Sequence, residues 1–248
     1  MTGGLGVSDE FILTGLERDA GAALCFFSLP ASHPFEELAD VLHPRETAYY
    51  HTLKSEKRKR SYLVGRYAAK KAVAAFVQET DPRRILIQQG IFNQPIATCE
   101  DARNVQVSIT HCDGLGAAIA FPEAHPMGID LERIKPGKRE AIESQMTKAE
   151  REGITALSFP YDMLLTLAWT AKEALSKVLK TGLTTPFTIF AMSEIKVQND
   201  CFTGSFENFP QYKALSFETD GYVCSIVCPK KTGIEIDFSA LKEQVRVG

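Results

Sequence analysis

MLLTLAWTAKEALSKVLK, residues 163–180, reads as the strongest helix in the chain. Leu164, Leu167, Ala168, Ala171, Ala174, Leu175, Val178 and Leu179 recur with a 3.6-residue period and form one apolar stripe, and Gly182 supplies a stop. Such a helix needs a surface to bury that stripe against. Strand-like runs flank it, at 127–131 upstream and at 187–195, 213–218 and 222–228 downstream. Thr147-Lys148-Ala149-Glu150 has the capping-box pattern, which predicts a shorter helix that ends by Pro160.

Upstream of a Pro-bounded break at 122–126 the same style recurs. Ser55 is a plausible N-cap for a helix to about Val77, with Tyr62, Leu63, Ala69, Val73, Phe76 and Val77 on its apolar period. Strands are expected at 22–29, 85–87, 105–110 and 116–121, with Cys112-Asp113-Gly114 turning between the last two. Residues 35–42 read as a short amphipathic helix, and Pro44 opens another. The Gly-rich stretch before Gly21 reads as a loose lead-in. The expectation is an α+β fold of two similar halves, 1–124 and 125–248, each with one long helix and a small, mostly antiparallel sheet.

At 248 residues, 44% hydrophobic and 24% charged, the chain has the composition of an ordinary globular protein. Disorder, collagen and coiled-coil rods are excluded. The net charge of −3 hides an uneven distribution. Between Arg45 and Lys71, nine basic residues meet only Glu46 and Glu56, so this window carries +7 and the remainder −10. An anionic ligand is expected there. The acidic remainder and the lack of a nucleic-acid-binding motif argue against DNA or RNA. Asp9, Glu10, Glu17 and Asp19 do not suit a signal peptide, and no apolar run nears the ~20 residues of a membrane span, so a cytoplasmic protein is expected. The six scattered cysteines read as buried free thiols.

Two motifs carry chemistry. In Gly128-Ile129-Asp130-Leu131-Glu132, strand alternation sets Asp130 and Glu132 on one face, where two carboxylates repel unless a cation or proton lies between them. Oxygen-only donors suit Mg²⁺, which takes one or two carboxylates together with waters and phosphates. In Trp169-Thr170-Ala171-Lys172-Glu173-Ala174-Leu175-Ser176-Lys177, Glu173 and Lys177 are i, i+4 neighbours, with Lys172 on an adjacent face. Alone, either motif is matched by a bland alternative: surface acids at a strand end, or an ordinary surface ion pair.

Together, in this order and about forty residues apart, the two motifs resemble the paired signature of the 4′-phosphopantetheinyl transferases. The length and two-half layout are similar to the larger, monomeric, surfactin-synthetase-activating (Sfp-like) branch. The resemblance runs from about residue 44 to 190. It implies a pseudo-twofold pair of α+β halves with the active site in the cleft between them. It further implies Mg²⁺-dependent transfer of phosphopantetheine from coenzyme A to a serine of an acyl or peptidyl carrier protein; the choice between Mg²⁺ and Mn²⁺ is not fixed by the sequence.

Carried over residue by residue, the resemblance makes Asp130, Glu132 and Glu173 the metal-site acids and Lys172 and Lys177 phosphate contacts; Glu173, a water it positions or a metal-bound water is the candidate general base. Val107-Ser108-Ile109-Thr110-His111 resembles the family's Ser-His segment, with His111 on the phosphates of coenzyme A and Thr110 in place of a serine. The segment with Lys59, Arg60 and Arg66 resembles the one that binds the 3′-phosphate end. From the residues themselves, Lys59, Arg66 and Lys70 share one helix stripe suited to a polyanion. The sequence departs from the family at Asn93-Gln94-Pro95, where Gly-Lys-Pro is usual. Gln94 there costs one charged phosphate contact, about 1–3 kcal/mol of coenzyme A binding, and leaves a weakly catalytic coenzyme A- or carrier-binding relative as the alternative function. Phe159, Tyr161 and the helix over 148–158 are the expected carrier-docking surface.

Overall fold

The computed structural model describes residues 5–14, 20–30, 32–100, 104–198 and 201–245. Strands β1 (Leu5–Thr14) and β2 (Ala20–Ser28) come first, then helices α1 (Pro44–Thr52) and α2 (Glu56–Val77). A hairpin of β3 (Leu86–Gln89) and β4 (Pro95–Thr98) leads to β5 (Val105–Cys112) and β6 (Leu115–Pro122). Next come β7 (Gly128–Arg133), α3 (Arg139–Glu143), α4 (Lys148–Thr155) and α5 (Tyr161–Leu179). The chain continues through β8 (Met192–Gln198), β9 (Cys201–Phe206), β10 (Tyr212–Thr219), β11 (Tyr222–Pro229), β12 (Gly233–Ile234) and α6 (Phe238–Val245).

One five-stranded sheet has the order β12-β1-β2-β6-β5 and the other β7-β11-β10-β9-β8. All described pairings are antiparallel. The apolar residues sort by parity into three cores. Ala22, Leu24 and Phe26 of β2 and Ile129 and Leu131 of β7 meet Cys224 and Ile226 of β11 between the two sheets. Cys25 and Phe27 of β2 point the opposite way, to Leu63, Ala69 and Val73 of α2. Val223 and Val227 of β11 likewise face Leu164, Ala171 and Leu175 of α5. The molecule is thus layered helix–sheet–sheet–helix. Strands buried on both faces explain the unbroken apolar runs such as Ala117 to Phe121.

β5 and β7 are the edge strands where the sheets meet, and side chains stitch them. Ser108 Oγ accepts the Ile129 N–H (3.1 Å), and Thr110 Oγ1 accepts the Leu131 N–H (3.2 Å). The strand edge that these groups cover would otherwise hold unpaired donors.

Several expectations need correction. The lead-in before Gly21 contains β1, whose backbone groups are satisfied along β2. Residues 35–42 hold a 3₁₀ helix, Glu36–Val41. The run 187–195 divides into a 3₁₀ turn, Phe187–Phe190, followed by β8. β4, β9, β12, α3 and α6 were not foreseen, and β12 crosses back from the C-terminal side to pair with β1. The capping box at Thr147 is present as read, with Thr147 and Glu150 each accepting from the other's N–H. The six cysteines are free thiols, four of them buried. No described helix is long and apolar enough to cross a membrane.

Candidate active site

A cleft of about 490 Å³ opens where α2, the β3–β4 hairpin, β5, β7 and α5 converge. Two glycines allow that convergence. A Cβ at Gly128 would strike the carbonyl of Ala174, so its absence lets β7 lie directly against α5. At Gly65 a Cβ would stand 3.2 Å from Cδ2 of His111, so α2 closes onto the end of β5 in the same way.

Alternation along β7 turns Asp130 and Glu132 away from the inter-sheet core and toward Glu173 and Lys177 of α5. Lys177 donates to the carbonyls of Ile109 (3.1 Å) and Ile129 (2.8 Å) and to Asp130 Oδ1 (2.8 Å), so all three of its protons are used. Thr110 donates to the same Oδ1 at 3.0 Å. Asp130 Oδ2, by contrast, is buried without a hydrogen-bond partner among the described residues. Glu132 Oε2 is met by the Lys138 ammonium at 2.7 Å and by Cys112 Sγ at 3.6 Å. Burial pushes the Glu173 carboxyl up to about 7, and the charges of Asp130 and Glu132 add to that rise against the pull of Lys177. His111 lines the cleft with its proton affinity below the ordinary histidine range, lowered by withdrawal from water and then by Lys177.

Among the described residues, no three His, Cys, Asp or Glu side chains are gathered closely enough to hold a metal ion as they stand. The donor chemistry nevertheless fits a hard divalent cation. Three carboxylates line one cleft, one buried carboxylate oxygen has no hydrogen-bond partner among the described residues, and burial and then the neighbouring acids raise Glu173.

The basic wall is narrower than its sequence suggests. Arg66 lines the cleft, with its guanidinium 4.9 Å over the Tyr62 ring and 3.4 Å from Glu46. Lys59 lies over Tyr50 at 5.5 Å, outside the residues that line the cleft. Arg60 turns inward and donates to the carbonyls of His33 (3.1 Å), Leu29 (2.8 Å) and Pro30, which anchors the segment after β2. Lys70 is not part of a polyanion rack: it is fully buried, pairs with Glu46 at 2.7 Å, and donates to Pro82 O and Ile85 O. Burial lowers its pKa.

Lys172 likewise does not reach the cleft. One residue before Glu173 lies 100° around the helix, and there Lys172 is buried against Glu150 at 2.7 Å and Gln145 O at 3.0 Å. The two buried pairs match in construction. Glu46 and Glu150 each close a capping box and each also accept a strand N–H, from Ile87 (3.2 Å) and Met192 (2.9 Å) respectively.

Pro95 lines the cleft, but Gln94 does not. The Gln94 amide accepts the Phe92 N–H at 2.9 Å and fills the space over Gly90, so it braces the hairpin tip. Trp169 stacks on Phe187 at 4.8 Å, away from the cleft. Sequence reading missed Tyr49, Gln88 and Gln89 as lining residues, because only the tertiary position of the hairpin against α1 and α2 brings them there.

The cleft that gathers acids from two elements opposite His111 and Arg66 lies partly within a recognisable family segment. Residues 126–227 match the family described as the 4′-phosphopantetheinyl transferase superfamily, and Asp130, Glu132, Glu173 and Lys177 fall inside that segment. Among individual proteins, the chain is similar to enterobactin synthase component D of Escherichia coli (strain K12), at 33% identity over 123 residues. That alignment covers 49% of this chain and 54% of the relative. The component D of Salmonella typhi is 31% identical over 137 residues, 52% of each chain. The chain thus spans about half the length of the curated relatives it matches.

Proposed function

We propose that this protein transfers the 4′-phosphopantetheine group from coenzyme A to a serine of an acyl or peptidyl carrier protein. The observation that carries the reading is the Asp130, Glu132, Glu173 and Lys177 constellation, opposite His111 and Arg66 in one cleft. The same reading takes the protein as a member of the Sfp-like branch. It treats the halves 1–124 and 125–248 as related by a pseudo-twofold, which the matched Glu46–Lys70 and Glu150–Lys172 pairs support.

In this reading Asp130, Glu132 and Glu173 hold Mg²⁺, which when bound supplies charge neutralisation for the pyrophosphate. The serine Oγ forms a bond to the β-phosphorus. The bond from that phosphorus to the bridging oxygen breaks, and adenosine 3′,5′-bisphosphate leaves with the electron pair. Glu173, or a water it positions, would accept the serine proton. Lys177 acts mainly by fixing Asp130, since its three protons are already donated within the protein. Arg66 offers the cleft's guanidinium to an anionic ligand, and His111 offers it a ring N–H. Phe159, which is 39% exposed and edge-on to Phe202, remains the candidate apolar contact for the carrier.

Intact-mass spectrometry of apo carrier proteins incubated with the protein, coenzyme A and Mg²⁺ tests this. The expected result is a gain of one phosphopantetheine that EDTA abolishes and that Glu173→Ala reduces at least a hundredfold, in line with the ~10²–10⁴ of a general base. No gain on acyl or peptidyl carriers, with coenzyme A still bound, overturns the transferase in favour of a binding protein.

A further inference from the structure

Two lysines neutralise the acid cluster, and they are held in different ways. Lys177 is fixed by two backbone carbonyls as well as by Asp130. Lys138 has one hydrogen-bond partner among the described residues, Glu132 Oε2 at 2.7 Å, and its side chain is 44% exposed. It stands at the end of a 3₁₀ turn, Pro136–Lys138, so its long side chain can swing into water without disturbing a strand. Glu132 in turn shares the cleft with Asp130 and Glu173, and the thiol of Cys112 lies beside it. Lys138 holds one carboxylate oxygen of Glu132, one of the three acids of the cleft.

We infer that Lys138 is a displaceable counter-ion that competes with the divalent cation for Glu132 and so sets how tightly this site takes a metal. The inference rests on the metal-site reading above. An incoming cation must take Glu132 from Lys138 and tolerate a nearby like charge, and both penalties vanish when the ammonium is removed. Because the pair is partly exposed, at 44% for Lys138 and 25% for Glu132, the penalty is modest, and removing it tightens binding by about three- to tenfold. Lys138 is then a positioning residue: it acts through Glu132 and touches no reacting atom.

The test titrates Mn²⁺ alone into the full chain and follows free Mn²⁺ by electron paramagnetic resonance. Lys138→Met, which keeps an unbranched side chain without the ammonium, is expected to bind Mn²⁺ about three- to tenfold more tightly than the wild type. Lys138→Arg, which keeps the charge, is expected within about twofold of it. Unchanged or weaker binding by Lys138→Met, with the wild type binding and Asp130→Asn abolishing it, overturns the counter-ion role alone. Absence of Mn²⁺ binding in the wild type, or binding indifferent to Asp130→Asn, overturns the metal site itself and this inference with it.

Discussion

Glu173 shows how one side chain ties pH, folding and the acid cluster together. Its carboxyl is held near 7 by burial first and by Asp130 and Glu132 after it, whereas an unfolded chain returns it to the ordinary range near 4.5. The folded state therefore binds the proton more tightly. Its contribution to stability is complete below about pH 4.5 and is lost as pH rises through 7. In EDTA, scanning calorimetry should show the wild-type Tm falling relative to Glu173→Gln between pH 5 and 8, by several degrees. Parallel curves for the two proteins would mean that the carboxyl titrates normally. Comparison with the variant is needed because His111, whose pKa is lowered by burial, works in the opposite sense, its contribution being lost as pH falls below 6.5. The acids and Lys177 were legible in the sequence, since strand alternation and the i, i+4 spacing predict which of them share a face. Lys70 and Lys172 were not legible. Helical periodicity gives a direction around the axis but not what lies in that direction, here the carboxylates of Glu46 and Glu150.

At the scale of elements, the joint between β5 and β7 is made by hydroxyls that substitute for a ladder. Ser108 and Thr110 satisfy the Ile129 and Leu131 N–H groups from a neighbouring sheet edge. Removing either hydroxyl strands a buried donor, so Ser108→Ala and Thr110→Ala should each destabilise by about 1–3 kcal/mol. Thr110→Ser should retain most of that stability, because it keeps the oxygen. Denaturant unfolding of the four proteins checks this, and a Thr110→Ala as stable as the wild type would remove the hydroxyl from the joint. The helices α2, α4 and α5 and the strands β2, β5, β6, β7, β10 and β11 were predicted because each carries its own period, cap or turn. β1, β4, β9 and β12 depend on partners for their existence. The alternation that a lone strand shows is weak when its register is decided by pairing across the sheet.

For the whole molecule, the inter-sheet core is closed by the last described segment. Leu241 of α6 is buried in it, Phe238 packs on Phe217 at 5.5 Å, and β12 pairs with β1. Deletion of residues 233–248 should therefore loosen the first sheet more than the outer strands of the second. Amide exchange is expected to accelerate in β1 and β2 while β8 and β9 keep their protection. Equal acceleration in all four would mean that the segment supports the fold globally.

The close approach of β7 to α5 at Gly128 has a reach beyond packing. The separation between Asp130 on the strand and Glu173 on the helix is gauged by a missing methyl group, not by any residue that a ligand touches. A single-base change in that codon, glycine to alanine, would leave every acid in place and still spread the jaws between which they work.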